Sequence, residues 1–204
     1  MSGIIDQIVE KVWSDKNALD INVGVSSRHL HLHQDHIQIL FGHELTCFKD
    51  LTQPGQFACN EKVDLVGPKG TIRGVRVLGP ARRATQIEVS KTDGFALGLD
   101  VPLRMSDDIE GTPGIKLVGP AGEVVLDKGV IVAKRHIHML PEEADKAGVK
   151  DGEIVWLAVN SPRKIMIGDV VIRVNPKFSL DFHVDTDEAN AAWLSSGDKV
   201  RIVR

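Results

Sequence analysis

Aromatic side chains and an excess of charge are both scarce in this sequence. Its 204 residues include no tyrosine, six phenylalanines and three tryptophans, so only 4% of positions are aromatic. This leaves little material for the stacking platforms that bind single-stranded nucleic acids. The 25 basic and 28 acidic side chains give a net charge of −3, whereas nucleic-acid-binding domains usually carry a basic surface. Both features argue against a nucleic-acid partner.

Cysteines and long apolar runs are scarce as well. The two cysteines, Cys47 and Cys59, are too few for a disulfide framework, and we expect reduced thiols. The apolar runs are too short to span a bilayer. The first residues lack the basic, apolar and small-residue order of a secretion signal. We therefore expect a cytoplasmic protein with no membrane partner.

The beginning of the sequence has helical periodicity. Residues 3–14 place isoleucine, valine and tryptophan side chains on one face and polar side chains on the other, and residues 15–17 form a polar linker. A helix this short is marginal alone in water, so its apolar face needs a partner. Two interpretations follow: the helix packs on its own domain, or it is a detachable docking peptide.

The remainder of the sequence is rich in β-strand signals. Short runs of β-formers are separated by Gly-Pro, Pro-Gly, Asp-Gly and Gly-Asp turns, with short helices predicted at Gln34–Phe41, Pro141–Ala147 and Thr186–Leu194. This pattern favours a mainly β (α+β) fold of two small β-barrel-like domains with short capping helices over a doubly wound parallel sheet. The predicted strands are Ile21–Val25, Val63–Val66, Thr71–Leu78, Gln86–Val89, Val124–Leu126, Val130–Ala133, Ile154–Val159, Val170–Val174 and Val200–Val203.

Three segments of the sequence recur. LVGPKG at residues 65–70 returns as LVGPAG at 117–122, and RHLHL at 28–32 returns as RHIHM at 135–139. A fainter echo relates IEVSKTD at 87–93 to FHVDTD at 182–187. The last two echoes keep their order along the chain, so the sequence predicts two related halves.

Each half contains an Arg-His-x-His motif. Side chains at i and i+2 of a strand point to one face, so each motif presents two imidazoles side by side, a spacing that suits a metal ion. The repeat also selects third ligands, because Glu88 and His183 occupy equivalent places. Three protein ligands leave a fourth position open, as in catalytic zinc sites, with manganese, cobalt or iron as alternatives. The two predicted ligand sets are His29, His31 and Glu88, and His136, His138 and His183.

An arginine pair precedes Glu88 and is a candidate anion-binding group. The segment GPARR at residues 79–83 lies close enough to the Glu88 strand to aim a guanidinium at the same cleft. Arginine binds phosphate through a planar bidentate fork. The alternative interpretation is that Arg82 and Arg83 are surface charges. The sequence has neither a Walker A motif nor a Gly-x-Ser-x-Gly elbow.

Seven stretches, in matching order, resemble one known family. They are VGVSSRHLHL, DLTQPGQF, VDLVGPKGTI, VRVLGPARRATQIEVSKTD, GIKLVGPAGEV, VIVAKRHIHM and HVDTDEANAA. Over about residues 20–203 the sequence is similar to the phosphotransacylases of the propanediol-utilisation type, or phosphate propanoyltransferases. This resemblance implies a two-metal, typically dizinc, enzyme that moves a propanoyl or acetyl group between coenzyme A and inorganic phosphate.

The resemblance also implies the organisation of the chain and the roles of its residues. Residues 18–26 plus 134–204 are expected to form one barrel domain and residues 27–133 the other, with the active site at their interface. Two Zn²⁺ ions would occupy the two ligand sets above. The phosphate-binding arginine corresponds to Arg82, a phosphate-contacting serine to Ser106, and a contact with the adenine of coenzyme A to Phe95.

Residues 1–17 resemble the encapsulation peptides of this family. Such peptides deliver an enzyme into a bacterial microcompartment, so we expect shell proteins as partners and a location inside a microcompartment. An exposed apolar helix also favours self-association, and a homo-oligomer is expected.

Two other functions are compatible with paired histidine sites. The first is a metal-dependent hydrolase of phosphoesters or acyl compounds, because two metals and an arginine suit that chemistry too. The second is a metal-stabilised structural protein of a microcompartment lumen, in which chelation would unfold the chain. Open coordination positions in both triads argue against the structural function.

Overall fold

The computed structural model describes residues 3–203, which divide into two compact units. Unit 1 is formed by the residues up to Ser26 and from Lys134 onward, and unit 2 is Ser27–Ala133. Within residues 3–203, every helix is too short or too polar to cross a bilayer.

Unit 1 consists of a six-stranded barrel and three helices. Its elements are α1 (Ile4–Ser14), β1 (Ile21–Ser26), β11 (His136–Met139), α4 (Pro141–Ala147), β12 (Ile154–Val159), β13 (Ile165–Val174), β14 (Asp181–Asp185), α5 (Thr186–Ala192) and β15 (Lys199–Ile202). The barrel is closed in the order β1-β14-β11-β13-β12-β15. Closure depends on β1, which pairs in parallel with β14 and antiparallel with β15. Ile21, Ile137, Leu157 and Phe182 are fully buried inside it.

Unit 2 is built around a nine-stranded sheet. Its elements are β2 (His29–His31), α2 (Gln34–Phe41), β3 (Cys47–Asp50), β4 (Phe57–Val66), β5 (Thr71–Gly79), β6 (Gln86–Glu88), α3 (Lys91–Leu97), β7 (Leu103–Arg104), β8 (Lys116–Val118), β9 (Glu123–Val125) and β10 (Val130–Ala133). The sheet runs in the order β7-β10-β6-β2-β5-β4-β8-β9, and β3 pairs with β4. Its core contains fully buried Leu30, Leu65, Ile87 and Leu117.

The two LVGPxG repeats form equivalent turns that cap helices of unit 2. The backbone N–H of Lys69 donates to the carbonyl of Leu97 at the end of α3, at 3.0 Å. The N–H of Ala121 donates to Leu40 near the end of α2, also at 3.0 Å. Glycine is required at Gly67 and Gly119 because a Cβ there would overlap the same two carbonyl groups. The repeat therefore encodes two turns that satisfy carbonyls left over at helix ends.

The N-terminal helix α1 packs on the barrel of unit 1. Val9 and Val12 are buried against Ala158 of β12, as expected for the apolar face of an amphipathic helix. Ile4 and Ile5, at the start of the helix, stay exposed. These contacts favour packing on its own domain over a freely detached peptide.

Two basic side chains fix the ends of α1. The Lys164 ammonium lies 3.6 Å from a carboxylate oxygen of Asp6 in the first turn. At the other end, the Arg201 guanidinium donates to the carbonyls of Trp13 and Asp15, both at 3.0 Å, and lies 4.7 Å from the centre of the Trp13 ring. A cation at the C-terminus also complements the helix dipole.

The structure confirms the predicted fold class: a mainly β protein with a closed barrel, a half-barrel sheet and short helices. Helices α2 and α4 have the predicted bounds. The helix predicted at Thr186–Leu194 ends at Ala192, because Trp193 adopts a left-handed φ of 55°. Helix α3 was not predicted, and neither were the strands β3, β7, β8 and β14.

Candidate functional site

In unit 2, strand pairing brings three predicted metal ligands together. Strand β2 lies between β5, parallel to it, and β6, antiparallel to it. In the β2–β6 register His29 is opposite Glu88, and His31 shares the face of His29 because it is two residues further along the strand. One ligand atom from each of the three side chains lies within 4.8 Å of the other two.

Backbone carbonyls orient both imidazoles of this triad. The Nδ1 atom of His29 lies 2.9 Å from the carbonyl oxygen of Ser27, and Nδ1 of His31 lies 3.1 Å from that of Leu78. Such a contact fixes the tautomer in which Nδ1 carries the proton and Nε2 is available to a metal. Nε2 of His29 lies 3.4 Å from Oε2 of Glu88.

The protonation states of His31 and Glu88 suit a metal. Burial, together with the nearby Arg82 and His29, lowers the pKa of His31 to about 3. Burial alone would raise the pKa of Glu88, but His29 and His31 outweigh it and bring this pKa to about 2. Metal ligands must be neutral imidazoles and ionised carboxylates. This donor set therefore fits a divalent cation such as zinc.

The carboxylate of Glu88 is held by two further side chains. The Ser106 hydroxyl donates to Oε1 of Glu88 at 2.8 Å, and the buried Gln86 amide donates to the same oxygen at 2.7 Å. Gln86 also donates to the Ser106 oxygen at 2.9 Å and accepts from the N–H of Asp107 at 2.6 Å. Ser106 thus lies beside the triad, and its contact with phosphate stays a prediction.

The other two predicted residues of unit 2 lie in different surroundings. The Arg82 guanidinium lies 3.8 Å from the carboxylate of Asp107, and its charge lowers the pKa values of both His31 and Glu88. Arg82 is therefore within electrostatic reach of the triad. Phe95 projects from α3 with 66% of its surface exposed, 5.6 Å from the ammonium of Lys91. Its contact with coenzyme A stays a prediction.

The three predicted histidines of unit 1 form a second cluster with the same strand arrangement. Strand β11 lies between β13, parallel to it, and β14, antiparallel to it, so that His136 is opposite His183. The ring centres of His136 and His138 are 4.7 Å apart. The ring of His183 is 5.1 Å from the first and 4.9 Å from the second.

The surroundings of His138 indicate that this cluster also fits a metal. Both of its ring nitrogens are buried and have no hydrogen-bond partner within residues 3–203, and a buried polar group without a partner is costly. Burial and the neighbouring His136 and His183 lower the pKa of His138 to about 2, so the ring is neutral. Nδ1 of His136 lies 2.8 Å from the carbonyl oxygen of Lys134, a contact equivalent to the one between Nδ1 of His29 and the carbonyl of Ser27 at 2.9 Å.

The arginine of each Arg-His-x-His motif has a structural role that the sequence analysis missed. Arg28 forms a bidentate ion pair with Asp93 of α3, at 2.7 and 2.9 Å. Arg135 lies 3.0 Å from Glu188 of α5. In both cases the acid is the third residue of the helix and completes its capping box. The motif arginine therefore ties the histidine strand to the helix that follows the third ligand.

Comparison with known proteins identifies the family. The sequence model of phosphate propanoyltransferase matches residues 22–195. A phosphate propanoyltransferase of Thermotoga maritima is 53% identical over 204 residues, covering 98% of this chain and 97% of the relative. One from Clostridioides difficile is 48% identical over 207 residues, covering 100% and 99%. One from Lachnoclostridium phytofermentans is 50% identical over 206 residues, covering 100% and 96%. The chain belongs to the phosphate propanoyltransferase family.

Proposed function

We propose that this phosphate acyltransferase moves a propanoyl group between coenzyme A and inorganic phosphate with the help of two zinc ions. The family supports the reaction class. The observation that carries the metal proposal is the His29–His31–Glu88 cluster, whose ligand atoms lie within 4.8 Å of one another, with the pKa values of His31 and Glu88 both lowered. The substrates would be propanoyl-CoA and phosphate, and acetyl-CoA is an alternative acyl donor.

His29, His31 and Glu88 would hold one ion, and His136, His138 and His183 the other. When bound, such ions supply Lewis-acid charge that stabilises an oxyanion or a thiolate. Other divalent transition metals are compatible with the same mixture of imidazole and carboxylate ligands.

The chain's own residues would bind and position phosphate. Arg82 is proposed to bind phosphate through a bidentate contact of its guanidinium and to offset part of the negative charge of the phosphate. The carboxylate of Asp107, the residue after Ser106, lies 3.8 Å from that guanidinium. Ser106 would then turn its hydroxyl from Glu88 to the same phosphate, while Gln86 keeps its hydrogen bond to Glu88. Fixing the nucleophile in this way converts a bimolecular encounter into a positioned attack.

The proposed reaction is a direct displacement. An oxygen of hydrogen phosphate attacks the thioester carbonyl carbon, a C–O bond forms, and the C–S bond breaks. The proton of hydrogen phosphate ends on the sulfur, so the products are propanoyl phosphate and free coenzyme A. No acyl-enzyme intermediate is required.

The decisive experiment measures release of the coenzyme A thiol from propanoyl-CoA with and without phosphate. We expect release only with phosphate, in step with an equal amount of propanoyl phosphate trapped by hydroxylamine. Release at the same rate without phosphate would overturn the transferase proposal in favour of a hydrolase. Treatment with a chelator should abolish turnover while circular dichroism stays unchanged, and added Zn²⁺ should restore it. Unfolding on chelation would instead indicate metals with a structural role.

We also propose that residues 1–17 are an encapsulation peptide that binds microcompartment shell proteins. Support comes from the amphipathic α1 helix, whose Ile4 and Ile5 remain exposed while Val9 and Val12 pack on the barrel. The exposed part of the helix could bind a shell protein without leaving the barrel. The same patch supports our proposal of a homo-oligomer.

Co-purification and size measurements test these two proposals. The variant Ile4→Ser/Ile5→Ser should keep turnover and thermal stability but lose co-purification with shells, with Ile39→Ser as the matched exposed control from α2. Equal shell recovery for both variants would overturn the peptide proposal. Light scattering of the intact chain should give more than one chain per particle, and a monomer at all concentrations would overturn the oligomer proposal.

A further inference from the structure

A buried polar residue occupies the same place beside both triads. In unit 2, Gln86 is opposite the second histidine, His31, and lies two residues before Glu88. In unit 1, Asp181 is opposite His138 and lies two residues before His183. Since side chains alternate along a strand, each of these residues shares the face of the third ligand beside it. Their exposed fractions are only 2% and 3%.

In unit 2 the contacts of Gln86 restrict Glu88. Its amide nitrogen donates at 2.7 Å to Oε1, the oxygen that also accepts from Ser106. The other carboxylate oxygen, Oε2, is the one that faces His29. Two hydrogen bonds to Oε1 thus fix the orientation of the carboxylate, and in this orientation Oε2 faces the histidines.

In unit 1 the carboxylate of Asp181 has the corresponding place. One of its oxygens lies 3.4 Å from Nε2 of His183. The neighbouring strand β1 makes room for it at Gly24, where a Cβ would lie only 2.9 Å from the same oxygen. The sequence therefore keeps both a buried acid and the space that this acid needs.

The two residues match the ligands that they accompany. A carboxylate ligand accepts hydrogen bonds and lies beside an amide donor, whereas an imidazole that binds an ion through Nδ1 can donate its Nε2–H to the carboxylate beside it. Partners of this kind fix the orientation of metal ligands and raise the basicity of an imidazole. The residue two positions before the third ligand is thus an amide where the ligand is a carboxylate and a carboxylate where the ligand is an imidazole.

We propose that Gln86 and Asp181 are positioning residues that orient Glu88 and His183 toward bound divalent cations. This inference rests on the metal sites of the proposed function. Neither residue is assigned as a ligand or as a contact of substrate; each acts through the third ligand of its triad.

Zinc affinity of the full chain tests this inference without reliance on turnover. Competition with a chromophoric chelator is measured for the wild type, Gln86→Met and Asp181→Asn. We expect two sites in the wild type and, in each variant, a dissociation constant raised roughly 10- to 100-fold at one site only. The control is Glu61→Gln, which alters a buried acid of unit 2 that bonds to Thr46; its zinc affinity should equal that of the wild type.

A double-variant cycle separates positioning from a general loss of structure. If Gln86 acts through Glu88, then Gln86→Met should have no further effect on zinc affinity in a Glu88→Gln background. In a His183→Ala background it should keep its full effect at the remaining site. Should Gln86→Met not fold, Gln86→Asn, which retains the amide but shortens the side chain, is measured in its place.

The outcomes distinguish this inference from the function on which it rests. If the wild type binds two zinc ions and the variants stay within about twofold of it, where roughly 10-fold or more is expected, the positioning role is overturned and the metal sites stand. If the wild type binds no zinc or other divalent cation, both proposals are overturned. Equal weakening at both sites by Gln86→Met would also contradict a role exerted through Glu88 alone.

Discussion

In both unit 1 and unit 2, the strand that carries the histidine pair has one parallel and one antiparallel neighbour. The two units differ in whether their sheet closes into a barrel. In each unit the histidine strand, β2 or β11, has a parallel neighbour on one side and an antiparallel neighbour carrying the third ligand on the other. A short helix follows both the histidine strand and the strand of the third ligand. The predicted relationship between the two halves therefore extends to their topology.

The difference between the units lies in the strand that could close the sheet. In unit 1, β15 pairs with both β12 and β1, and the barrel closes. In unit 2, β8 pairs with β4 but then continues into the β8–β9 hairpin. The histidine face is the same in both, which indicates that the ligand geometry depends on the three central strands and tolerates either kind of sheet edge.

The largest expected effect is the loss of a third ligand in either unit. Glu88→Gln and His183→Gln should each remove one of the two proposed ions and lower kcat by roughly 10³-fold, because charge stabilisation in the transition state is lost. Elemental analysis and steady-state kinetics measure this, with His43→Gln as the exposed-histidine control. Retention of both ions by either variant would show that the units do not use equivalent ligands.

Six residues before the third ligand, where unit 2 has Arg82, unit 1 has Lys177. Arg82→Ala should raise the KM for phosphate and lower kcat, by roughly 100-fold in kcat/KM, since a charged bidentate contact is lost. Both metals should remain bound. Lys177→Ala is the matched control and should behave as the wild type. Unchanged kinetics in Arg82→Ala would remove this residue from the mechanism.

The two arginine–acid pairs should differ in their effect on stability. Asp93 is almost fully buried, so Arg28→Met should lower the free energy of unfolding by about 2 kcal/mol. Arg135→Met should cost only about 1 kcal/mol, because Glu188 keeps 24% exposure of its side chain. Urea unfolding of metal-free protein measures both. A larger loss of stability in Arg135→Met than in Arg28→Met would mean that Glu188 depends on its arginine more than Asp93 does.

An exchange of ligands tests whether the units are chemically interchangeable. Glu88→His gives unit 2 the three histidines of unit 1 but leaves the Gln86 amide beside an imidazole. We expect its zinc affinity to fall roughly 10-fold and to recover when Gln86→Asp is added, because a carboxylate then orients the new histidine. Chelator competition measures the affinity. If adding Gln86→Asp did not restore zinc affinity, the residue at position 86 would not determine how tightly the new histidine binds zinc.

The smallest expected effect is a difference in pH dependence between two buried acids. Burial alone would raise the pKa of Glu61, but hydrogen bonds from Thr46 outweigh it and lower this pKa. Its stabilising contribution is therefore present above pH 4.5 and is lost as the pH falls further. Burial and the nearby Asp185 raise the pKa of Glu188 despite Arg135. Its ionisation therefore costs stability, and this cost disappears as the pH falls toward 4.5.

Opposite slopes follow for the two glutamine variants. Relative to Glu61→Gln, the wild type should lose stability as the pH is lowered below 4.5; relative to Glu188→Gln, it should gain stability as the pH falls toward 4.5. Urea unfolding across pH 3.5 to 7 measures both. The groups facing Glu61 include Thr46, the Cys59 thiol and, at 3.9 Å, His43. If stability changed with pH in the same direction at Glu61 and Glu188, burial would dominate the pKa of both carboxyl groups.

Much of the secondary structure could be predicted from local signals. The bounds of α2 and α4 follow from Gly42 and Gly148, which end these helices in the left-handed conformation, and from Pro141 in the first turn. Helix α3 has an equally clear beginning, a capping box of Ser90 and Asp93, but Gly94 interrupts its helical pattern. Strand β3 is exposed on both faces and has no alternation to reveal it.

The candidate site was predictable only in part. The i, i+2 spacing of the histidines and the repeat identify the triads, because both signals lie within short stretches of sequence. Gln86 and Asp181 gave no such signal: a single polar residue at the start of a strand is usually exposed. Their importance comes from strand pairing between residues 55 positions apart (His31 with Gln86) and 43 positions apart (His138 with Asp181). Such long-range register is not encoded in short stretches of sequence.

The pairing of β1 with β14 and β15 has a consequence for how the protein forms during synthesis. Ribosomes add about 5–20 residues per second, and domains generally fold as units. All of unit 2 has been made once Ala133 is added, whereas β1 must wait for residues 181–202 before its partners exist. For several seconds, therefore, unit 2 of a growing chain would be complete while β1 has no partner strand. During this interval a chaperone could bind β1.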